Sequence, residues 1–188
     1  MSARPSPMAD PAELEVVITP MKRRHLRGVL KIEGQVYPRP WSMGLFMSEM
    51  GYREGRVYLV ARVGGTVVGY GGLMLVLEDG HVTTLAVDPA WQRHSIGTRL
   101  LLALTEVGMG RGIENLTLEV RIGNEPAKEL YRRFGFVPAG IRKGYYVETN
   151  EDALVMWAND VATPAMTARR VALAAGVRGE TVLEGMDP

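Results

Sequence analysis

Ala86-Val87-Asp88-Pro89-Ala90-Trp91-Gln92-Arg93-His94-Ser95-Ile96-Gly97-Thr98-Arg99-Leu100-Leu101 runs from the end of an apolar strand, through a turn, into a helix. The apolar run stops at Val87, Asp88-Pro89 makes the turn, and a glycine-containing loop opens the helix near Ile96. Backbone N–H groups at a helix N-terminus are unpaired and lie at the positive end of its dipole, so they offer an anion site. Arg93 and Arg99 add positive charge. The stretch fits either an ordinary strand-to-helix turn or a phosphate cradle. It is neither a G-x-x-x-x-G-K-S/T loop nor a G-x-G-x-x-G fingerprint.

Upstream of this stretch the order is strand, two helices, then an antiparallel meander. Leu14 to Ile18 reads as a strand. Thr19 and Pro20 read as the cap and first residue of a helix striped by Leu26, Val29, Leu30, Ile32 and Val36. Ser42 caps a short helix carrying Leu45, Phe46 and Met50. Val57 to Val63 and Thr66 to Leu77 flank Gly64-Gly65, a hairpin signal. Asp79-Gly80 reads as the next turn and His81 to Val87 as the next strand. Downstream, a helix over Ile96 to Val107, a strand over Leu116 to Arg121, a helix over Ala127 to Phe134 and strands over Val137 to Val147 and Ala153 to Trp157 follow. This pattern predicts an α+β domain: a mixed, mostly antiparallel sheet with helices on both faces.

The chain has 188 residues, enough for about one domain. Lys and Arg number 22 against 21 Asp and Glu, so no general field favours nucleic acid or membranes. Cysteine is absent, which excludes disulfides, thiolate metal sites and a thiol nucleophile, and fits a reducing, cytoplasmic setting. No apolar run is long enough to span a bilayer, and Met1 to Asp10 has no apolar signal-peptide core. His25, His81 and His94 have no metal-ligand spacing, so no metal is expected. The expected organisation is a flexible leader over 1–13, a compact domain over 14–160, and a tail over 161–188 with a helix over Met166 to Val177.

Gln92-Arg93-His94-Ser95-Ile96-Gly97 resembles the Q/R-x-x-G-x-G/A pyrophosphate loop of the GNAT superfamily of N-acetyltransferases. Thr84-Leu85-Ala86-Val87-Asp88-Pro89 is similar to the strand preceding that loop. Glu119-Val120-Arg121-Ile122-Gly123-Asn124 and Leu130-Tyr131-Arg132-Arg133-Phe134-Gly135-Phe136 form a second family motif. Ile32-Glu33, Pro40-Trp41-Ser42, Ile141-Arg142-Lys143-Gly144-Tyr145-Tyr146 and Glu151-Asp152-Ala153 resemble the ribosomal-protein-alanine N-acetyltransferase branch. The resemblance implies a GNAT-like sheet with a splayed parallel strand pair, and acetyl-CoA as cosubstrate. It implies a cofactor site at Leu85, Ala86, Val87, Arg93, His94, Ser95, Ile96, Gly97, Thr98 and Asn124. One residue departs from the pattern: Ser95 stands at the first loop glycine, harmless at negative φ and strained at positive φ.

Leu116, Leu118 and Val120 alternate with Thr117, Glu119 and Arg121, so Glu119 lies on the polar face of its strand. By pattern alone it is a surface charge or a base; the resemblance implies the general base. Tyr131, by spacing, is a core aromatic on its helix; the resemblance implies the general acid for the leaving thiolate. Asn124 caps the following helix by type and position. Without cysteine, transfer is direct within a ternary complex, with the Val87 N–H as oxyanion donor. The implied acceptor is a protein N-terminus or peptide, a ribosomal protein in the resembling enzymes, with no direct nucleic-acid or membrane partner. Such a peptide is basic, and Glu33, Glu148, Glu151 and Asp152 are expected to receive it. Fold does not settle substrate, so a lysine, a small amine or a non-catalytic acyl-CoA-binding role stay open.

Overall fold

Alternation of buried and half-exposed side chains makes Glu15–Pro20 the first strand, β1, with Val16 and Ile18 fully buried. Helices α1 (Leu26–Val36) and α2 (Met43–Gly51) follow. Then come strands β2 (Arg56–Val63), β3 (Thr66–Val76) and β4 (Asp79–Val87), with Gly64 and Gly65 at φ of 53° and 81° closing the first hairpin. Helix α3 (Ile96–Gly110), strand β5 (Asn115–Arg121), helix α4 (Glu125–Phe134), strands β6 (Val137–Tyr146) and β7 (Glu151–Ala158), helix α5 (Pro164–Ala175) and strand β8 (Glu180–Leu183) complete the order. This is a computed structural model, and it describes residues 6–186.

The eight strands form one sheet in the order β6-β7-β5-β4-β3-β2-β1-β8. Pairing is antiparallel except at β4–β5 and β1–β8. The β4–β5 pair is short: it joins Asp79 to Asn115, Gly80 to Leu116 and His81 to Thr117, and then the strands part. Thr83 is an extra residue in β4 relative to β3, since Gly72 faces Thr84 while Leu73 faces Val82. Such a bulge bends its strand, here just where the parallel ladder stops.

Two apolar layers cover the sheet. On one face α1 and α2 bury Leu26, Val29, Ile32 and Phe46 against Tyr58, Val60 and Tyr70. On the other, α3 buries Ile96, Leu100, Leu101 and Leu104. Gly69 brings α3 close, because a Cβ there would come within 2.8 Å of Ile96 Cγ2. Each buried Leu or Ile contributes roughly 1.5–3 kcal/mol.

Three expectations are corrected. Thr19 and Pro20 do not start a helix; they pair with Val60 and Leu59 as the end of β1. The helix begins at Leu26, after a tight turn in which the Lys22 N–H donates to His25 Nδ1 (3.0 Å). Asp79-Gly80 is not the turn but the start of β4; Leu77, at φ 55°, makes the turn. Gly80 instead permits close packing, since a Cβ would meet Ile113 and Leu116 within 3 Å.

The third correction concerns the domain boundaries expected at residues 13 and 160. Of the expected leader, residues 1–5 lie outside the described part. Asp10 caps a 3-10 turn over Pro11–Glu13, and Leu14 O accepts from the Glu180 N–H at 2.8 Å. Beyond 160, α5 forms near the predicted position and buries Arg170 and Leu173. β8 adds to β1 in parallel, and Glu184 N–H donates to Ile18 O (2.9 Å). Arg99, 2% exposed, fixes the tail from below: its guanidinium donates to Glu180 O (2.7 Å), Arg178 O (2.5 Å) and the Thr181 hydroxyl. The segment 161–188 is therefore part of the sheet and core through its described residues.

Candidate active site

The parting of β4 from β5 leaves a cleft floored by both strands. Asp88 N–H donates to Val68 O (2.8 Å), so the antiparallel β3–β4 ladder takes the N–H groups of Asp88 and Ala86 toward β3. Leu85 and Val87 then turn their backbone groups to the opposite edge, where β5 has moved away. Leu85 O confirms this direction by accepting from the Tyr37 hydroxyl (3.5 Å). Of the three strand residues expected at a cofactor, Leu85 and Val87 thus turn their backbone toward the edge β5 has left, where Tyr37 takes the Leu85 carbonyl. Ala86, 3% exposed, places its side chain in the core beneath α1.

At the end of β4 the loop residues Arg93 and Ser95 both have positive φ, 68° and 57°. Ser95 occupies the N-cap of α3 in the left-handed region, and its side chain makes no cap hydrogen bond. The first helical bond runs from Arg99 N–H to Ser95 O (3.0 Å), so the N–H groups of Ile96, Gly97 and Thr98 have no acceptor among the described residues. A Cβ on Gly97 would meet only Leu130 Cδ2 at 3.4 Å and Val87 Cγ2 at 3.8 Å. Protein packing therefore does not require glycine there, and the three unpaired N–H groups are suited to an anion. His94 stacks toward Trp91, with ring centroids 5.6 Å apart, and its Nδ1 lies 2.9 Å from Gln92 O. Ile96 is buried and Thr98 nearly so, so both present backbone rather than side chain. Arg93 is exposed beside the loop, whereas Arg99, also expected to add charge to it, points away to the tail.

Ser95 carries the strain that a left-handed non-glycine residue brings, about 1–2 kcal/mol. Ser95→Gly is expected to raise stability by up to ~1 kcal/mol, because glycine's larger unfolded-state entropy offsets part of the relief. Acetyl-CoA affinity should change by less than about tenfold, since the backbone N–H groups stay. Thermal unfolding with and without acetyl-CoA reads both; a destabilised variant would show that the hydroxyl itself holds the loop.

The cleft opens into a cavity of ≈ 550 Å³. Glu119 and Tyr131, expected as base and acid, both line it, as does Asn124. Asn124 Oδ1 also accepts from Ala127 N–H (3.2 Å), the predicted cap of α4. Leu116, Leu118 and Val120 are buried on one face of β5, which sends Glu119 into the cleft on the other. The Glu119 side chain is 8% exposed; its Oε2 lies 2.5 Å from His81 Nε2 and its Oε1 3.4 Å from Arg142 Nη2. Tyr131 is 7% exposed, packed against Phe136 with centroids 5.7 Å apart. Burial, with the Tyr37 and Tyr146 phenols nearby, pushes its phenol well above the ordinary tyrosine range.

The acidic residues expected to receive a basic peptide are otherwise engaged. Glu33 is 3% exposed; its carboxylate accepts from Trp41 N–H (2.9 Å) and from the Tyr70 hydroxyl, and burial raises its pKa. It ties α1 to the loop before α2. Glu148 and Glu151 pair with Arg121 at 2.7 and 3.1 Å, and Asp152 accepts from Gly144 N–H (2.8 Å). Arg121 lies 3.9 Å above the Tyr146 ring, and the Tyr146 hydroxyl donates to Glu119 O (3.3 Å). The mouth is thus walled by Tyr145 and Tyr146 on one side and Trp41 and Leu45 on the other.

A splayed parallel strand pair, free N–H groups at the next helix start, and a carboxylate and a tyrosine lining the same cavity define an acetyltransferase architecture. The acetyltransferase (GNAT) family model matches residues 26–136, and the chain belongs to that family. It is 36% identical over 137 residues to the putative ribosomal protein bS18-alanine N-acetyltransferase of Bacillus subtilis, covering 73% of this chain and 91% of that one. It is 35% identical over 147 residues to the N-alpha-acetyltransferase RimI of Mycobacterium tuberculosis, covering 75% and 90%. The crystal structure of the ribosomal-protein-S18-alanine N-acetyltransferase from Escherichia coli superposes with a TM-score of 0.70 at 31% identity, over 77% of this chain and 94% of that one. The chain is an N-acetyltransferase.

Proposed function

We propose that this enzyme transfers the acetyl group of acetyl-CoA to the N-terminal α-amine of a protein, of the ribosomal-protein-alanine type, in the cytoplasm. The observation that carries this reading is the cleft itself, with Leu85 and Val87 backbone on one edge and Glu119 and Tyr131 on the other. The Ile96, Gly97 and Thr98 N–H groups bind the diphosphate, with Arg93 beside them. Val87 N–H donates to the thioester oxygen as charge builds there. Glu119 provides the basic group for the acceptor ammonium, and the Tyr131 hydroxyl donates to the departing sulfur. An α-amine has a pKa near ~8, so only a modest base is needed at neutral pH. The four aromatic and aliphatic side chains at the mouth suit an extended N-terminus entering end-on, and the relatives named for ribosomal protein bS18-alanine acetylation favour a terminal alanine.

A peptide starting with a free alanine and containing lysines should be acetylated at its α-amine. Blocking that amine should abolish transfer although the lysines remain. Mass spectrometry after digestion locates the label. Acetyl groups on lysine side chains, or only on small amines, would overturn the acceptor assignment and leave the acetyltransferase standing.

A further inference from the structure

His81 has no role so far. It is the last residue of β4 paired to β5, opposite Thr117, just before the strands part. Glu119 stands two residues further along β5, on the same side of the sheet as Thr117. The pair therefore meets diagonally at the root of the cleft, with His81 Nε2 and Glu119 Oε2 2.5 Å apart. Such a contact between nitrogen and a carboxylate holds a proton between them, so Nε2–H donates and Oε2 accepts. Arg142 from β6 faces the other carboxylate oxygen. Both Glu119 oxygens thus have partners within the protein. His81 differs: its side chain is 25% exposed against 8% for Glu119, it lines the cavity, and Nδ1 has no partner among the described residues. With Nε2 turned to the carboxylate, Nδ1 is the ring nitrogen of the pair left open to the cavity.

We propose that His81 holds the proton taken from the acceptor amine. Acting through Glu119 and cavity water, it is the proton-holding and positioning partner of that carboxylate. The inference rests on the acetyl-transfer reading above. An acceptor ammonium loses two protons on becoming an amide. One passes by water to the Glu119–His81 pair and comes to rest on the His81 ring, giving an imidazolium paired with the Glu119 carboxylate, and then leaves to bulk solvent. The nitrogen lone pair forms the amide bond as the carbon–sulfur bond breaks, and the second proton ends on the thiol. The arrangement is a carboxylate–imidazole pair, with the carboxylate fixing the tautomer and stabilising the charged ring.

Other titratable groups line the cavity around the pair: the Glu33 carboxyl, which burial raises, is turned to Trp41 N–H and the Tyr70 hydroxyl. Arg121 is held by Glu148 and Glu151, and Arg142 faces Glu119. Burial raises the phenols of Tyr37, Tyr131 and Tyr145, and pushes Tyr146 up to about 12. Glu148 is held low by a backbone hydrogen bond and by Arg121. Glu49, across the cavity on α2, is turned to Arg56 and Tyr58.

His81→Gln keeps an N–H donor toward Glu119 but cannot take a proton; His81→Ala removes both. Both variants should keep the acetyl-CoA KM within about twofold and lose turnover at neutral pH by roughly tenfold or more. The loss should shrink near about pH 9, where the amine arrives deprotonated. Added imidazole should restore part of the His81→Ala rate. Full activity of His81→Gln at every pH, with His81→Ala impaired, would reduce His81 to orienting Glu119 and overturn the proposal. Unchanged rates in both variants alongside active wild type would overturn it too. Nitrogen-15 NMR of the wild-type ring tests it independently of activity: Nε2 should be protonated and Nδ1 bare at about pH 8, and the reverse tautomer would overturn it. Absence of acetyl transfer by the wild type would instead count against the function proposed above.

Discussion

A chain ending at residue 160 is expected to lose cooperative folding. Truncation removes β8 and α5 together and leaves the Arg99 guanidinium inside the protein without Glu180 O, Arg178 O and the Thr181 hydroxyl. Leaving a buried charge without its partners costs about 3–5 kcal/mol. The buried side chain of Leu173 is lost as well, at roughly 1.5–3 kcal/mol, and so is the packing of Met166 against Gly135. The Arg170 bonds to Val161 O (2.5 Å) and Glu106 (3.1 Å) also go. Together these approach the whole stability of an ordinary domain, about 5–15 kcal/mol. Circular dichroism should show no sharp thermal transition in the truncated chain. A midpoint within about 4 °C of the full chain would mean that the tail adds little.

Turnover of Tyr131→Phe is expected to fall on the order of 10²-fold, with stability nearly unchanged. The ring contacts to Phe136 survive the substitution; only the hydroxyl goes. Because burial raises the Tyr131 pKa, the phenol stays protonated across the working pH range. Outright transfer to a thiolate, with a pKa near ~8.5, is therefore uphill, and the hydroxyl acts as a hydrogen-bond donor whose proton moves late. The loss should appear in kcat, with the KM for acetyl-CoA little changed and the fall similar at pH 7 and 9. Steady-state kinetics against matched unfolding curves checks this. Equal turnover would leave Tyr131 as a packing residue of α4.

The strand–loop–helix at Ala86 to Leu101 was legible because its signals are local: an apolar run, Asp-Pro, and a glycine at a helix start. The same holds for the Asn124 cap and for Gly64-Gly65. What stayed hidden depends on partners far along the chain. β8 is four residues long with mostly exposed side chains, so it has no periodic signature, and its partner β1 lies at the other end of the sequence. Arg99 reads as a helix charge near a phosphate loop until that distant strand supplies its acceptors. His81 is a lone histidine in an alternating strand; only the three-residue β4–β5 register brings Glu119 against it. Glu33 has the spacing of a polar helix residue, yet Tyr70 and the Trp41 N–H reach in to satisfy it. The αL geometry of Ser95 was posed by the sequence as an alternative and decided by the backbone.

The β1–β8 pairing also bears on the order in which this protein is assembled. Its register joins Glu15 to Glu180 and Ile18 to Leu183. Made well before β8, β1 can pair early with β2, but its outer edge waits until residues 180–183 are made. During synthesis that edge is an open row of N–H and C=O groups, the feature by which nascent chains pair wrongly with one another. Closing so long a loop adds little to the final free energy but sets it late in time. Strand β8 thus shelters an edge that a chain stalled before residue 180 would leave bare.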